Sequence, residues 1–389
     1  MKLIDYIPKM LADKDLQLAL ENKPPFLNPK TMSKVDRLIH TQDIFDIYIP
    51  NKMTFELYDS IYFLLIQACK RKEEGLNFHS MNNESLLVCG DAGIGKTEAI
   101  SRINEIMFGN NIIELSKPYL KVIPILIVQA TTISSFKGFL ISILYAIDSK
   151  IGTNYSLHCS KNNINTDELL IATSKALNLH VLLLVCEEMN FLNESNKAMS
   201  FANQIVALSN IINTSIIFVC VPFGLRFFMS SDYLARRSLT KIYKTIDFEE
   251  AKQLILELLS YNYTLKRSDI SQELIRLIYS STCGNPALIK QVISSCQVFA
   301  ISSGYEMIDT HSIRKGIENK LSIMEPYMNK HSAKRSEKAL NQKSQIRVEK
   351  MINDELVCIF KKASQIAQKD TNIAIQFIEQ FIDVEKVSL

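Results

Sequence analysis

The chain has 389 residues, enough to bury a sizeable core and to divide into two or three units. A hydrophobic fraction of 47%, with 44 Lys and Arg against 41 Asp and Glu, describes a soluble globular protein. The net charge of +3 does not by itself announce nucleic acid, so local charge has to carry any such role. Eight cysteines lack paired or metal-ligand spacing. Cys89, Cys186 and Cys220 fall inside apolar runs and read as small buried hydrophobes of a reducing compartment. The six histidines are scattered, and no zinc site is expected. The opening MKLIDYIPKMLADKD has no secretory apolar core or cleavage site.

Residues 1–53 read as an irregular lead-in, because Pro24 and Pro25 break any continuous helix. The segment is a docking arm or packs on the core, and nothing inside it chooses. From Thr54 the spacing of Phe55, Tyr58, Ile61, Tyr62 and Leu65 is helical up to the charged stop KRKEE. This helix precedes the nucleotide-binding strand, which makes Tyr58 and Tyr62 candidates for contact with a base. Core packing is the stronger reading for both.

Residues 86–89 are a short apolar strand followed at once by Gly90, Asp91, Ala92, Gly93, Ile94, Gly95, Lys96 and Thr97. This is a complete phosphate-binding loop with its strand before and helix after. Its glycines let backbone N–H groups converge on an anion, Lys96 reaches the β and γ phosphates, and Thr97 holds Mg²⁺. The helix opening at Gly95 points its positive end at the same place and continues from Glu98 over 98–107. Residues 122–128 form a second strand ending in QATTISSFKG, with Lys137 beside a small-residue turn. Helices follow over 139–147 and over 166–177, the latter capped by Thr166.

Residues 181–186, VLLLVC, run directly into Glu187 and Glu188. Two acids at the carboxyl end of a buried strand lie where open α/β sheets place ligands. Glu187 is expected to order Mg²⁺ through water and Glu188 to polarise the attacking water. Taken alone, the pair could simply cap a strand in solvent; the phosphate loop upstream favours catalysis. The uncharged run 198–225 is long enough to span a membrane, but Asn203, Gln204, Asn210, Asn213 and Pro222 interrupt it. It reads as a helix over 198–211 and a strand over 215–221. The expected location is the cytoplasm, with no membrane contact.

Arg236 and Arg237 precede a possible strand at 242–248. They pair with acids, cover a helix end, or reach the γ-phosphate of a neighbouring subunit. Beyond residue 248 the strand–helix alternation ceases, and helices are expected over 249–260, 271–280, 286–299 and 311–318. Gly284-Asn285-Pro286 marks a loop-to-helix turn. Residues 314–350 hold ten Lys or Arg against four Glu, the best basic patch of the chain, readable as a phosphate contact or a solvated face. The last forty or so residues carry an apolar helical pattern that binds a partner or packs back on the lid.

In their order, GDAGIGKT, the strand before SSFKG, VLLLVCEEMNFL, SIIFVCVPFG and LARRSLTK resemble the AAA+ ATPases, and within them the TnsC/TniB family of transposition regulators. The resemblance covers roughly residues 54–290. It implies an α/β fold: a P-loop AAA+ three-layer α/β/α core with a parallel sheet, followed by a small helical lid. The implied division is an N-terminal arm 1–53, a core 54–248, a lid 249–325 and a basic, amphipathic tail 326–389. It further implies an ATPase with Mg-ATP between subunits of a ring or helical filament. Lys96, Thr97, Glu187 and Glu188 come from one subunit and Arg236 or Arg237 from the next.

Duplex DNA would be gripped through its phosphates, with Lys137, Lys241 and Lys244 as contact candidates, making the protein DNA-associated in the cytoplasm. A transposase and a target-selection protein are the implied partners. Three departures from the family pattern point to slow turnover. Glu187 replaces the usual Asp, the sensor region near Cys220, Val221 and Pro222 is apolar, and Lys290 stands one turn beyond the lid turn where a sensor arginine is expected. The competing readings are a signalling or defence adaptor without a DNA role, a replication-loader-like protein, and a scaffold with a decayed ATP site.

Overall fold

The structure, a computed structural model, describes residues 2–74, 85–109, 111–115, 120–130, 135–161, 164–188, 195–222, 224, 228, 238–266, 268 and 270–321. Five parallel strands form the sheet: β1 (Ser85–Gly90), β3 (Lys121–Gln129), β4 (Val181–Glu187), β5 (Ser215–Cys220) and β6 (Ser238–Tyr243). The short β2 (Ile113–Glu114) pairs antiparallel to β3, and the order across the sheet is β2-β3-β4-β5-β1-β6. Every residue of β1, β4 and β5 is buried, as expected for inner strands covered on both faces.

Alternation along the strands divides the core in two. Leu87 and Cys89 of β1 face a cluster shared with α6 (Phe136–Ile151), α8 (Thr166–His180) and α9 (Ser195–Ile211). Leu86 and Val88 face α4 (Lys52–Glu74) and α5 (Lys96–Phe108). Most elements fall within a few residues of their expected spans. Three corrections stand out. The last strand is residues 238–243, not 242–248, because Asp247 caps a helix by accepting a hydrogen bond from the Glu250 amide. As an edge strand it is half exposed, so the apolar run that betrays inner strands is missing. The cap of α8 is Asn165, which accepts from the Glu168 amide, rather than Thr166. The polar stretch before α8 contains a short helix, α7 (Tyr155–Lys161), pinned when Asp148 accepts from Thr153, Tyr155 and Ser156.

Among the described residues, four helices follow β6: α10 (Phe248–Ser260), α11 (Gln272–Thr282), α12 (Pro286–Ser302) and α13 (Thr310–Leu321). The first three pack on one another to form a helical lid. The N-terminal residues are not free of the fold. Leu16 and Leu20 of α1 (Asp13–Leu20) are buried in the cluster around α4 and α5, whereas α2 (Lys34–His40) and α3 (Asp43–Asp46) pack on α12.

Candidate functional site

The phosphate loop lies between β1 and α5, at the carboxyl edge of the sheet. Gly90 has no room for a side chain: a Cβ there would stand 2.7 Å from the Tyr243 carbonyl oxygen and 2.4 Å from Ile94 Cδ1. Gly93 and Gly95 take left-handed backbone, φ 84° and 96°, which turns the loop into the first turn of α5. The Lys96 amine folds into the loop and donates to the carbonyls of Gly90 (2.6 Å) and Asp91 (2.8 Å). Burial lowers the pKa of this amine. An arriving phosphate would draw it away from those carbonyls and offer a stronger, charge-assisted contact.

Glu187 ends β4 at 2% exposure. Its Oε1 is buried and has no hydrogen-bonding partner, while the Thr97 hydroxyl reaches the same carboxylate. Burial, reinforced by neighbouring Glu188, pushes its pKa above the usual carboxylate range. An orphaned carboxylate oxygen beside a hydroxyl fits Mg²⁺, a hard cation that takes oxygen ligands. Glu188 is exposed and holds left-handed backbone at φ 56°, which is uncommon for a residue with a Cβ. Such strain marks positions that the surrounding structure over-determines, and it clusters at sites of chemistry.

The lid closes directly on the loop. The Asn285 amide donates to the Ala92 carbonyl at 2.8 Å, and the Ala287 N–H to the Gly93 carbonyl at 3.1 Å. Alongside lies a cavity of about 260 Å³ bounded by Ile94, Gly95 and Glu98, by lid residues including Gln253, Pro286 and Lys290, and by residues 47–53. Lys290 is 8% exposed; its amine donates to the Phe45 carbonyl at 3.2 Å and lies 3.8 Å from Glu98. Neither Tyr58 nor Tyr62 lines the cavity. Tyr58 is in the core, its hydroxyl accepting from the Leu11 amide, and the cavity wall is formed instead by residues 47–53 and Phe55.

The family model for the bacterial TniB protein matches residues 65–275, more than half of the chain. The chain belongs to the TniB family. No curated protein sequence matches it. Among solved structures it is similar to domain III of the Thermotoga maritima replication initiation protein DnaA, at 13% identity and TM-score 0.41, over 76% of this chain and 98% of that one. It is also similar to the Aeropyrum pernix ORC1 protein in complex with DNA, at 12% identity and TM-score 0.47, over 67% of this chain and 64% of that one. Membership of the TniB family and the sheet flanked by helices give the AAA+ P-loop fold, and with the family comes an ATP-dependent regulatory role.

In this TniB-family chain the Thr97 hydroxyl meets Glu187 beside the phosphate loop, Glu188 follows at the end of β4, and Lys290 reaches the cavity beside the loop from the lid. Arg236 and Arg237 lie outside the described residues. Lys244 is exposed; the Lys137 amine donates to the Ile164 carbonyl at 2.8 Å and the Lys241 amine to the Glu56 carbonyl at 3.0 Å. Among the described residues no helix is long and apolar enough to cross a membrane. Sequence reasoning missed Asn285 as a tie to the loop and residues 47–53 as a cavity wall. The Gly284-Asn285-Pro286 turn was the one available signal for the first. The second had none.

Proposed function

We propose that the protein is an ATP-dependent, DNA-binding, oligomeric regulator that links target-site selection to a transposase. The reading rests above all on the Glu187 carboxylate, which meets the Thr97 hydroxyl beside the phosphate loop and keeps one oxygen unpartnered, in a chain of the TniB family. ATP is held with its phosphates on residues 90–97 and its base in the cavity walled by residues 47–53. Lys96 leaves the Gly90 and Asp91 carbonyls for the β and γ phosphates, and Lys290 supplies a second cation from the lid. Thr97 and Glu187 hold Mg²⁺, which when bound neutralises charge developing on the transferred group. Glu188 orients the attacking water and accepts its proton.

Arg236 or Arg237 of a neighbouring copy completes the site, so that nucleotide lies between subunits. The assembly encloses duplex DNA and holds it through phosphates with little base preference. Of the three candidate lysines, Lys244 is ready for such contact, whereas Lys137 and Lys241 must first leave internal carbonyls. Transposase and a target-selection protein contact the assembled form through the segments outside the ATPase core. Nucleotide titration and single-turnover hydrolysis of the wild type and Lys96→Ala test the site. Loss of one charge-assisted contact weakens binding by about 1.5–3 kcal/mol. Equal affinity of the two proteins contradicts the phosphate-loop assignment.

A further inference from the structure

Residues 22–53 leave the core, cross the lid and return along the cavity. On the lid, Arg37 forms a two-pronged ion pair with Glu306, at 2.6 and 2.8 Å, and also donates to the Tyr263 carbonyl at 3.0 Å. The Tyr263 hydroxyl donates to Asp43 at 2.6 Å, and the Tyr261 hydroxyl to the Pro24 carbonyl at 2.9 Å. Phe26 packs on both tyrosine rings. The chain then reaches Phe45, whose carbonyl accepts from Lys290, and continues as the cavity wall 47–53.

Two features set the ion pair apart from a simple stability element. Arg37 is 4% exposed and its Nε finds no partner, so burial of the charge is incompletely compensated. Glu306 sits at φ 59°, a left-handed backbone in which asparagine or glycine would be less strained. Desolvation and strain are both tolerated where this carboxylate meets this guanidinium. What the pair does achieve is register: it fixes a segment anchored on the core at residues 16 and 20 to the loop that follows lid helix α12. Opening the lid away from the phosphate loop therefore requires these contacts to part.

We infer that Arg37 and Glu306 are positioning residues for nucleotide retention: they clamp residues 22–46 to the lid, so that residues 47–53 and α12 confine the nucleotide together. This rests on the nucleotide reading of the cavity. Neither side chain touches the nucleotide; release is slow because the clamp must open first.

The test is stopped-flow release of a fluorescent ATP analogue from the full-length chain, in the wild type and in Arg37→Met, Arg37→Lys and Tyr263→Phe. Losing about 1.4 kcal/mol of clamp coupling speeds release roughly tenfold in Arg37→Met. Arg37→Lys, which keeps the charge but not the fork, falls between it and the wild type. Tyr263→Phe deletes one hydroxyl without disturbing packing and speeds release severalfold. Single-turnover hydrolysis of bound nucleotide is unchanged in all three. Lowered melting temperature with wild-type release rates would make the clamp a structural staple only and overturn the inference. If Arg37→Met does not fold, Tyr263→Phe decides alone, with wild-type release overturning the inference. A wild type that binds the analogue no better than Lys96→Ala overturns the site assignment and the clamp together, an outcome distinct from tight binding with unaltered release.

Discussion

Asn285 does two things at once, and they can be separated. Its Oδ1 caps α12 by accepting from the amides of Ala287 (3.1 Å) and Leu288 (3.3 Å), while its Nδ2 ties the lid to the Ala92 carbonyl (2.8 Å). Asn285→Ala loses both: about 1 kcal/mol for the cap and about 1 kcal/mol for the tie, hence roughly 2 kcal/mol of stability. Asn285→Asp keeps the cap, since aspartate serves as well as asparagine at that position. It loses the donor and turns a carboxylate towards the Ala92 carbonyl and the phosphate site. Denaturant unfolding is expected to show Asn285→Asp within about 1 kcal/mol of the wild type. Nucleotide titration should nonetheless show its affinity reduced by roughly tenfold or more, since 1.4 kcal/mol of repulsion and lost contact suffices. Tight, wild-type binding by Asn285→Asp would refute the placement of this lid turn over the phosphates.

The remaining predictions concern the two acids. Glu188→Gln should bind nucleotide normally and fail to hydrolyse it in a single-turnover assay; unchanged hydrolysis removes Glu188 from the water-activating role. Glu188→Gly should also abolish hydrolysis while raising stability by about 1 kcal/mol, because it relieves left-handed strain at φ 56°, and an unfolding curve no more stable than wild type counts against that strain. For Glu187 the folded state raises the pKa above its ordinary value of 4.5, so the folded chain binds this proton more tightly than the unfolded one. In metal-free protein the group therefore costs stability as pH rises from 4.5 through the folded value, and Glu187→Gln should melt higher at neutral pH. Mg²⁺ competes with the same proton, so Mg²⁺ affinity should start to fall at a higher pH than for an ordinary glutamate. Wild-type Mg²⁺ dependence in Glu187→Gln would remove Glu187 from the metal site.

The inner strands and the phosphate loop were legible because their physics is local. Residues 181–186 are apolar on both faces of the sheet, and the loop's spacing reflects backbone geometry that glycine alone permits at residues 90, 93 and 95. The edge strand β6 was misplaced because half its surface faces solvent and its pattern is mixed. The N-terminal segment was illegible for another reason. Arg37 and Glu306 are 269 residues apart in sequence, and no local pattern marks either as the other's partner. The same holds for Asn285 and Ala92, 193 residues apart. Tyr58 was legible for the same local reason as the strands: its helical spacing favoured core packing over contact with a base, and it is buried at 1% exposure.

The central claim is nucleotide-dependent assembly on DNA, and the most direct measurement is electron-microscopic imaging of the purified chain with duplex DNA. ATP, a non-hydrolysable analogue, ADP and no nucleotide should be compared side by side. Rings or filaments enclosing DNA with ATP or its analogue, absent without nucleotide and in Lys96→Ala, are the predicted result. ATP-dependent oligomers that ignore DNA would contradict the proposed role and favour a signalling adaptor.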